Sequence, residues 1–162
     1  MVLGVGNLLH TDDGFGIRVV ERMRERYAFG EGINLVDGGV LGMSLLGLMG
    51  EADHLIVVDA MRGGEEPGTL YRLNVDELPG RIRAKNSLHQ TDLLEALTLC
   101  EVVGKAPKTV ILGVEPMEME RMGMALTPVV ESRLDPMIER VLEEVARLGG
   151  SFREKEVEST PG

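Results

Sequence analysis

Acidic side chains and one histidine follow apolar segments at three points along the chain. Asp13 ends a glycine-punctuated loop, Asp59 follows the apolar run at residues 54–58, and His89 lies in the segment at residues 86–90. Two carboxylates and an imidazole form a mixed oxygen and nitrogen ligand set, which suits nickel, zinc, iron or manganese. Three protein ligands leave coordination positions open, as in metal sites that act on a bound substrate. These residue types therefore predict a divalent metal site.

Each of these residues also has a purely structural interpretation. Asp12 directly precedes an amphipathic segment, where we expect it to cap a helix, and Asp13 is therefore the preferred ligand of the pair. Asp59 follows a fully apolar strand, so its carboxylate needs a partner or an exposed crevice. His89 could be an ordinary polar histidine of a loop. Both interpretations remain open for each residue.

Apolar runs and helical patterns alternate along the chain and predict a largely parallel sheet covered on both faces. Strands are expected at residues 1–5, 33–36, 54–58, 69–73 and 109–114. Helices are expected at residues 16–27, 41–49, 93–103 and 128–148. Thr127 is the expected cap of the last helix. The predicted fold class is α/β, a three-layer α/β/α sandwich with a mainly parallel sheet of about five strands.

The predicted topology places the candidate ligands close together. Residues 54–58 are rich in β-branched side chains and are expected to form the central strand. The carboxyl ends of parallel strands meet at one edge of a sheet, where functional groups of open α/β folds lie. Asp13, Asp59 and His89 can therefore converge at that edge.

The length and composition are those of a single soluble domain. We expect one domain over residues 1–150 of the 162-residue chain, and the polar, charged segment 151–162 is expected to be a disordered tail. The net charge of −10 argues against a nucleic acid partner. Cys100 is the single cysteine, so the chain forms no internal disulfide, and a buried apolar role is expected for its thiol.

The sequence contains no stretch long enough to span a membrane, and its apolar start lacks a basic region and a cleavage site. Cytoplasmic localisation without a membrane partner is therefore the expectation.

Two further patterns have competing interpretations. Gly4 and Gly6 suggest a dinucleotide fingerprint, but Leu9 stands in place of its third glycine and the two adjacent carboxylates would repel a pyrophosphate. Four methionines cluster after the fifth strand, where they could form an adaptable docking surface, although core filling is the favoured role. They are Met117, Met119, Met122 and Met124.

Taken together, the motifs resemble the hydrogenase maturation endopeptidases, which process the large subunit of nickel–iron hydrogenases. The motifs occur in family order and cover residues 1–148. They are LGVGNLL at residues 3–9, DDGFG at 12–16, DGG at 37–39, GM at 42–43, DA at 59–60, PGT at 67–69, SLHQ at 87–90, GVEP at 113–116 and LTP at 126–128.

This resemblance implies an endopeptidase that removes a short C-terminal extension from the hydrogenase large-subunit precursor once nickel is installed. The metal-contacting positions of the family match Asp13, Asp59 and His89, and these three are also the expected catalytic residues. Asp37 matches a position linked to nickel recognition, and Gly38 and Gly39 follow it in a loop where backbone can approach a ligand closely.

The nickel is expected to come with the substrate, although other divalent metals would also fit such a site. Asp13 is the simplest candidate for a general base. A monomer is expected. The alternatives are a non-catalytic hydrogenase assembly factor of the same fold and, less favoured, a small nucleotide-binding protein.

Overall fold

The computed structural model describes residues 1–39, 45–75 and 88–156, with the side chains of 88–91 outside the described set. The strands are β1 (Val2–Val5), β2 (Tyr27–Phe29), β3 (Leu35–Gly39), β4 (His54–Ala60), β5 (Leu70–Asn74), β6 (Lys108–Val114) and β7 (Phe152–Glu154). The helices are α1 (Phe15–Arg26), α2 (Leu45–Glu51), α3 (Leu88–Val102), α4 (Pro128–Glu131) and α5 (Leu134–Arg147). A 3-10 turn at Thr11–Gly14 precedes α1.

Five strands form the main sheet in the order β3-β1-β4-β6-β5. All neighbouring pairs are parallel except β5, which runs antiparallel to β6. The predicted three-layer α/β/α fold with a mainly parallel five-stranded sheet is confirmed, and β4 is its central strand. Within the described ranges, every helix falls short of the length and apolar character that crossing a membrane requires.

The sheet separates two apolar clusters, because successive side chains of a strand point to opposite faces. On one face, Ile56 and Val58 of β4 pack in a cluster with side chains of α1 and α5. On the other face, Leu55 and Val57 pack with side chains of α2 and α3. Cys100 is buried in this second cluster with a free thiol, as its position in an apolar helix predicts.

Glycine allows the first turn of α1 to lie directly on the sheet backbone. A Cβ atom at Gly16 would overlap the carbonyl oxygen of Val58 and lie 2.5 Å from that of Val5. A Cβ atom at Gly4 would in turn overlap the carbonyl oxygen of Gly16. Only residues without a side chain fit here, so Gly4 and Gly16 allow α1 to lie against the ends of β1 and β4.

The C-terminal helix differs from its prediction. In place of one helix over residues 128–148, the chain forms α4 and α5, separated by a turn at Ser132 and Arg133. Pro136 explains the break, because its ring would clash with the carbonyl of residue 132 in a continuous helix, whereas the first turn of a new helix accepts proline. Thr127 precedes α4, but its side chain makes no capping hydrogen bond.

Part of the predicted disordered tail is ordered. Phe152–Glu154 forms β7, which pairs antiparallel with β2. The rings of Tyr27, Phe29 and Phe152 pack together across this pair, with centroids 6.1–6.3 Å apart. Strands of three residues are too short to show an alternating pattern, which is why neither was predicted. Residues 157–162 lie outside the described residues.

We predict that Gly16→Ala destabilises the protein by about 3 kcal/mol or more, because its methyl group would meet backbone atoms that cannot rotate away. The matched control is Gly47→Ala, on the exposed face of α2, where a Cβ atom would meet nothing within 4 Å. That change should be neutral or stabilise by about 0.5–1 kcal/mol. Urea unfolding of both variants checks the pair, and equal stability losses would contradict this packing.

Candidate active site

The loop that follows β1 folds back onto the carboxyl edge of the sheet. Gly6 begins it with φ at 141°, a conformation that favours glycine. The Asn7 N–H donates to the carbonyl oxygen of Asp13 at 3.2 Å, and the Asp13 N–H donates to that of His10 at 2.8 Å. These bonds close the loop and hold Asp13 above the end of β1.

Asp13 lies in the loop that follows β1, and Asp59 lies near the end of the neighbouring strand β4. The 3-10 turn that carries Asp13 contacts β4, whose penultimate residue is Asp59. Both residues are nearly buried, with exposed fractions of 7% for Asp13 and 3% for Asp59. Their convergence at the carboxyl edge agrees with the topology predicted from the sequence. Two carboxylate side chains with little exposure to water at one edge are candidate oxygen ligands for a cation.

The backbone of His89 lies in the first turn of α3. This helix packs on the face of the sheet toward which Asp59 points, since Asp59 alternates with Leu55 and Val57 of the same cluster. The chain leaves α3 and enters β6 at the amino edge of the sheet, so the helix begins near the carboxyl edge. The side chain of His89 lies outside the described residues.

Among the side chains that the structure describes, no three His, Cys, Asp or Glu residues form a group that could hold a metal. The two carboxylates are present, and a complete set of Asp13, Asp59 and His89 stays a prediction.

Asp12 does not cap the following helix, contrary to expectation. Its fully buried carboxylate accepts backbone N–H bonds from Met117 at 2.9 Å, Glu118 at 2.9 Å and Thr127 at 2.7 Å. The Thr127 hydroxyl also donates to both of its oxygens, at 3.0 and 2.9 Å. Asp12 therefore joins the loop after β1 to the loop after β6. Its role is structural, as predicted, but it connects two loops and does not cap a helix.

Glu115 is a buried residue at this edge to which the sequence analysis gave no role. Its Oε2 accepts backbone N–H bonds from Gly63 at 2.6 Å and Glu65 at 3.3 Å, and a hydrogen bond from the Tyr71 hydroxyl. Burial and the Glu115 carboxylate raise the pKa of Tyr71, which stays a neutral donor. Glu115 thereby positions the segment that follows Asp59. The sequence does contain a pattern that indicates a role for Glu115. This residue directly follows the apolar strand β6, just as Asp59 lies near the end of the apolar strand β4.

The other predicted recognition residues lie on the neighbouring strand. Asp37 is exposed near the end of β3, and its Oδ1 accepts the N–H of Gly39 at 2.8 Å. Gly39 has φ at 51°, and its carbonyl oxygen accepts the N–H of Gly6 at 2.9 Å. Gly38 packs against Leu3, where a Cβ atom would lie 2.8 Å from the leucine side chain. Gly42 and Met43, the next motif along the sequence, lie outside the described residues.

The geometry disfavours the nucleotide-binding alternative. A pyrophosphate would have to lie at the N-terminus of α1, above the end of β1. That volume is occupied by the turn at Thr11–Gly14, all four residues of which are buried. The glycines at positions 4 and 16 serve the packing of helix on sheet.

Comparisons with known proteins identify the family of this chain. The sequence model of the hydrogenase maturation protease family matches residues 17–144. The hydrogenase 2 maturation protease of Escherichia coli K12 is 39% identical over 163 residues, covering 99% of this chain and 94% of that protein. The hydrogenase expression/formation protein HupD of Thiocapsa roseopersicina is 41% identical over 158 residues, covering 96% of this chain and 72% of HupD.

The fold comparison gives the same result. The solved structure of the hydrogenase maturating endopeptidase HybD from Escherichia coli superposes with a TM-score of 0.89 at 37% identity, covering 95% of this chain and 96% of that one. The chain therefore belongs to the hydrogenase maturation protease family and, as its relatives are, is a peptidase.

We predict that Asp12→Asn lowers the free energy of unfolding by about 2–3 kcal/mol, because the amide group would turn a donor toward backbone N–H groups. Asp135→Asn is the control, since Asp135 forms exposed ion pairs with Arg22 and Arg26 at 3.4 and 2.8 Å. It should cost less than about 1 kcal/mol. Urea unfolding measures both, and an Asp12 variant as stable as the control would refute the anchoring role.

Proposed function

We propose that this protein is an endopeptidase that removes the C-terminal extension of a nickel–iron hydrogenase large-subunit precursor after nickel insertion. The observation that carries this proposal is a pair of nearly buried carboxylates in a member of this family: Asp59 near the end of β4, and Asp13 in the 3-10 turn that contacts β4. The names of its relatives refer to hydrogenase maturation and support the choice of substrate.

The nickel in this proposal belongs to the precursor. Asp13 and Asp59 offer oxygen ligands, and His89, which begins α3 near the same edge, offers an imidazole nitrogen. This mixed donor set suits a divalent ion such as nickel. A divalent cation beside Asp13 and Asp59 would be attracted by carboxylate charge, so we expect a precursor that brings its own nickel to bind better than one without it. Cleavage would then follow metal insertion.

Docking of the nickel would place the scissile peptide bond beside the two carboxylates. A divalent ion at that position polarises a carbonyl group or activates a water molecule. The water oxygen attacks the carbonyl carbon and its proton passes to a carboxylate, for which Asp13 is the simplest candidate. When the C–N bond breaks, the leaving amine takes a proton, and two peptides with a new carboxylate and a new amine result.

Strand β3, which lies beside β1, contributes to recognition of the precursor in the same proposal. Asp37 is exposed near the carboxyl end of β3, and Gly38 and Gly39 follow it without side chains that would block an approaching chain. We assign these residues to contacts with the nickel-bearing part of the precursor. The protein is proposed to act as a cytoplasmic monomer, with the precursor as its partner and no membrane or nucleic acid involved.

The test is intact-mass spectrometry of the nickel-loaded large-subunit precursor of the same genome after incubation with the protein. The wild type should release one C-terminal peptide. The control variant Asp135→Asn should do the same, because Asp135 lies in the first turn of α5, outside the proposed site. Asp13→Asn, Asp59→Asn and His89→Ala should each be slower by about 100-fold or more, because each removes a ligand or base.

Two results would contradict this proposal. A precursor that binds the wild-type protein but stays uncut would favour the assembly-factor alternative. Equal cleavage by the wild type and the three site variants would show that the chemistry lies elsewhere.

A further inference from the structure

Four large apolar side chains are exposed on one surface beside the carboxyl edge. They form what we call the methionine rim: Leu9 (53% exposed), Met117 (63%), Met122 (73%) and Met124 (62%). Of the four clustered methionines, Met119 alone packs against the core. The expectation that these methionines fill the core therefore holds for Met119 only.

The rim is connected to both loops that carry the buried carboxylates of the site. On one side, the Thr11 N–H donates to the carbonyl oxygen of Gly123 at 2.7 Å, and the Gly123 N–H donates to that of Leu9 at 2.9 Å. On the other side, Glu120 forms an ion pair with Arg62 at 3.4 Å, three residues beyond Asp59. The rim thus borders the Asp13 and Asp59 loops together.

The backbone of the rim is fixed before any partner binds. Asp12 holds the N–H groups of Met117 and Glu118 from the interior. The Glu118 carboxylate accepts the N–H groups of Glu120 at 2.8 Å and Arg121 at 3.1 Å, which closes the turn between the methionines. A partner therefore orders only flexible thioether side chains when it binds, and such preorganisation favours affinity.

The pairing of the two loops brings rim residues together. His10 and Gly123 form a parallel bridge, so Leu9 and Met122 are the neighbours that precede the bridged residues on each side. The hydrogen bond from the Gly123 N–H to the Leu9 carbonyl oxygen also brings the backbone of Leu9 close to that of Met122, so these two exposed residues belong to one part of the surface. Glu118, Glu120 and Arg121 lie between Met117 and Met122 along the chain and add charged side chains to this segment, as at many protein interaction sites.

We propose that the methionine rim binds an extended apolar segment of the polypeptide substrate next to its cleavage point. A peptidase substrate continues on both sides of the scissile bond, so it must cross the surface that adjoins Asp13 and Asp59. Methionine side chains adapt to irregular apolar partners, which suits a chain held in extended conformation. The proposal rests on the proposed function for the identity of the substrate, and it assigns a second contact besides the nickel.

The test compares the cleavage kinetics of the nickel-loaded precursor by the wild type and by a triple variant, Met117→Gln, Met122→Gln and Met124→Gln. Glutamine keeps the length of each side chain and removes its apolar character. The KM should rise about tenfold or more while kcat changes by less than about twofold, because the rim binds substrate away from the reacting atoms.

The matched control carries Leu48→Gln, Leu99→Gln and Val103→Gln, three exposed apolar residues that belong to the α2 and α3 side of the molecule. Its KM should stay within about twofold of the wild type. Circular dichroism melting of both triple variants checks that they are folded, which exposed substitutions should preserve.

The outcomes separate the two proposals. A raised KM in the rim variant alone supports the docking surface. A wild type that cleaves and a rim variant with an unchanged KM would overturn the rim proposal while the proposed function stands. A fall in kcat at unchanged KM would also overturn it, since that pattern belongs to the reacting groups. A wild type that does not cleave the precursor removes the proposed function and the rim proposal with it.

Discussion

The contact of helix α1 with the sheet is the constraint on which the site depends. Gly16 lies against the carbonyl groups of Val5 and Val58, and Gly4 leaves room for the carbonyl group of Gly16. Any side chain at these positions would push the helix away from the sheet. Because the turn with Asp13 directly precedes α1, the same displacement would carry Asp13 away from β4 and Asp59. The glycine motif is therefore a packing device that serves the carboxylates.

Buried carboxylates at the carboxyl edge have two roles in this fold: two of them hold loops in place, and two are the candidate metal ligands. Asp12 and Glu115 accept hydrogen bonds from the backbone of segments distant in sequence, so each joins two segments at this edge. Charge-assisted bonds of this kind are stronger than neutral ones, which compensates for burying the charge. Asp12 directly precedes Asp13 in the chain, and Glu115 holds the segment that follows Asp59. These bonds therefore fix the chain next to each residue of the candidate pair.

Sequence patterns predicted the parts of the structure that have local causes. The apolar runs identified all five strands of the main sheet, and the parallel topology placed Asp13 and Asp59 at one edge. Contacts between residues far apart in the sequence could not be predicted from such patterns. Nothing near Asp12 in the sequence indicates that its carboxylate will accept hydrogen bonds from Met117 and Thr127. The helix break before Leu134 follows from one proline in an otherwise helical pattern. The short pair β2 and β7 has too few residues for any periodicity.

The proposed function requires a divalent metal, carried by the substrate, to bind at Asp13 and Asp59. The most direct measurement is single-turnover cleavage of one large-subunit precursor, purified in nickel-loaded and nickel-free forms and incubated with the wild-type protein. Nickel analysis of each preparation establishes the two starting states. We predict that the nickel-loaded form loses its C-terminal peptide and that the nickel-free form stays intact. Equal cleavage rates for the two forms would contradict it.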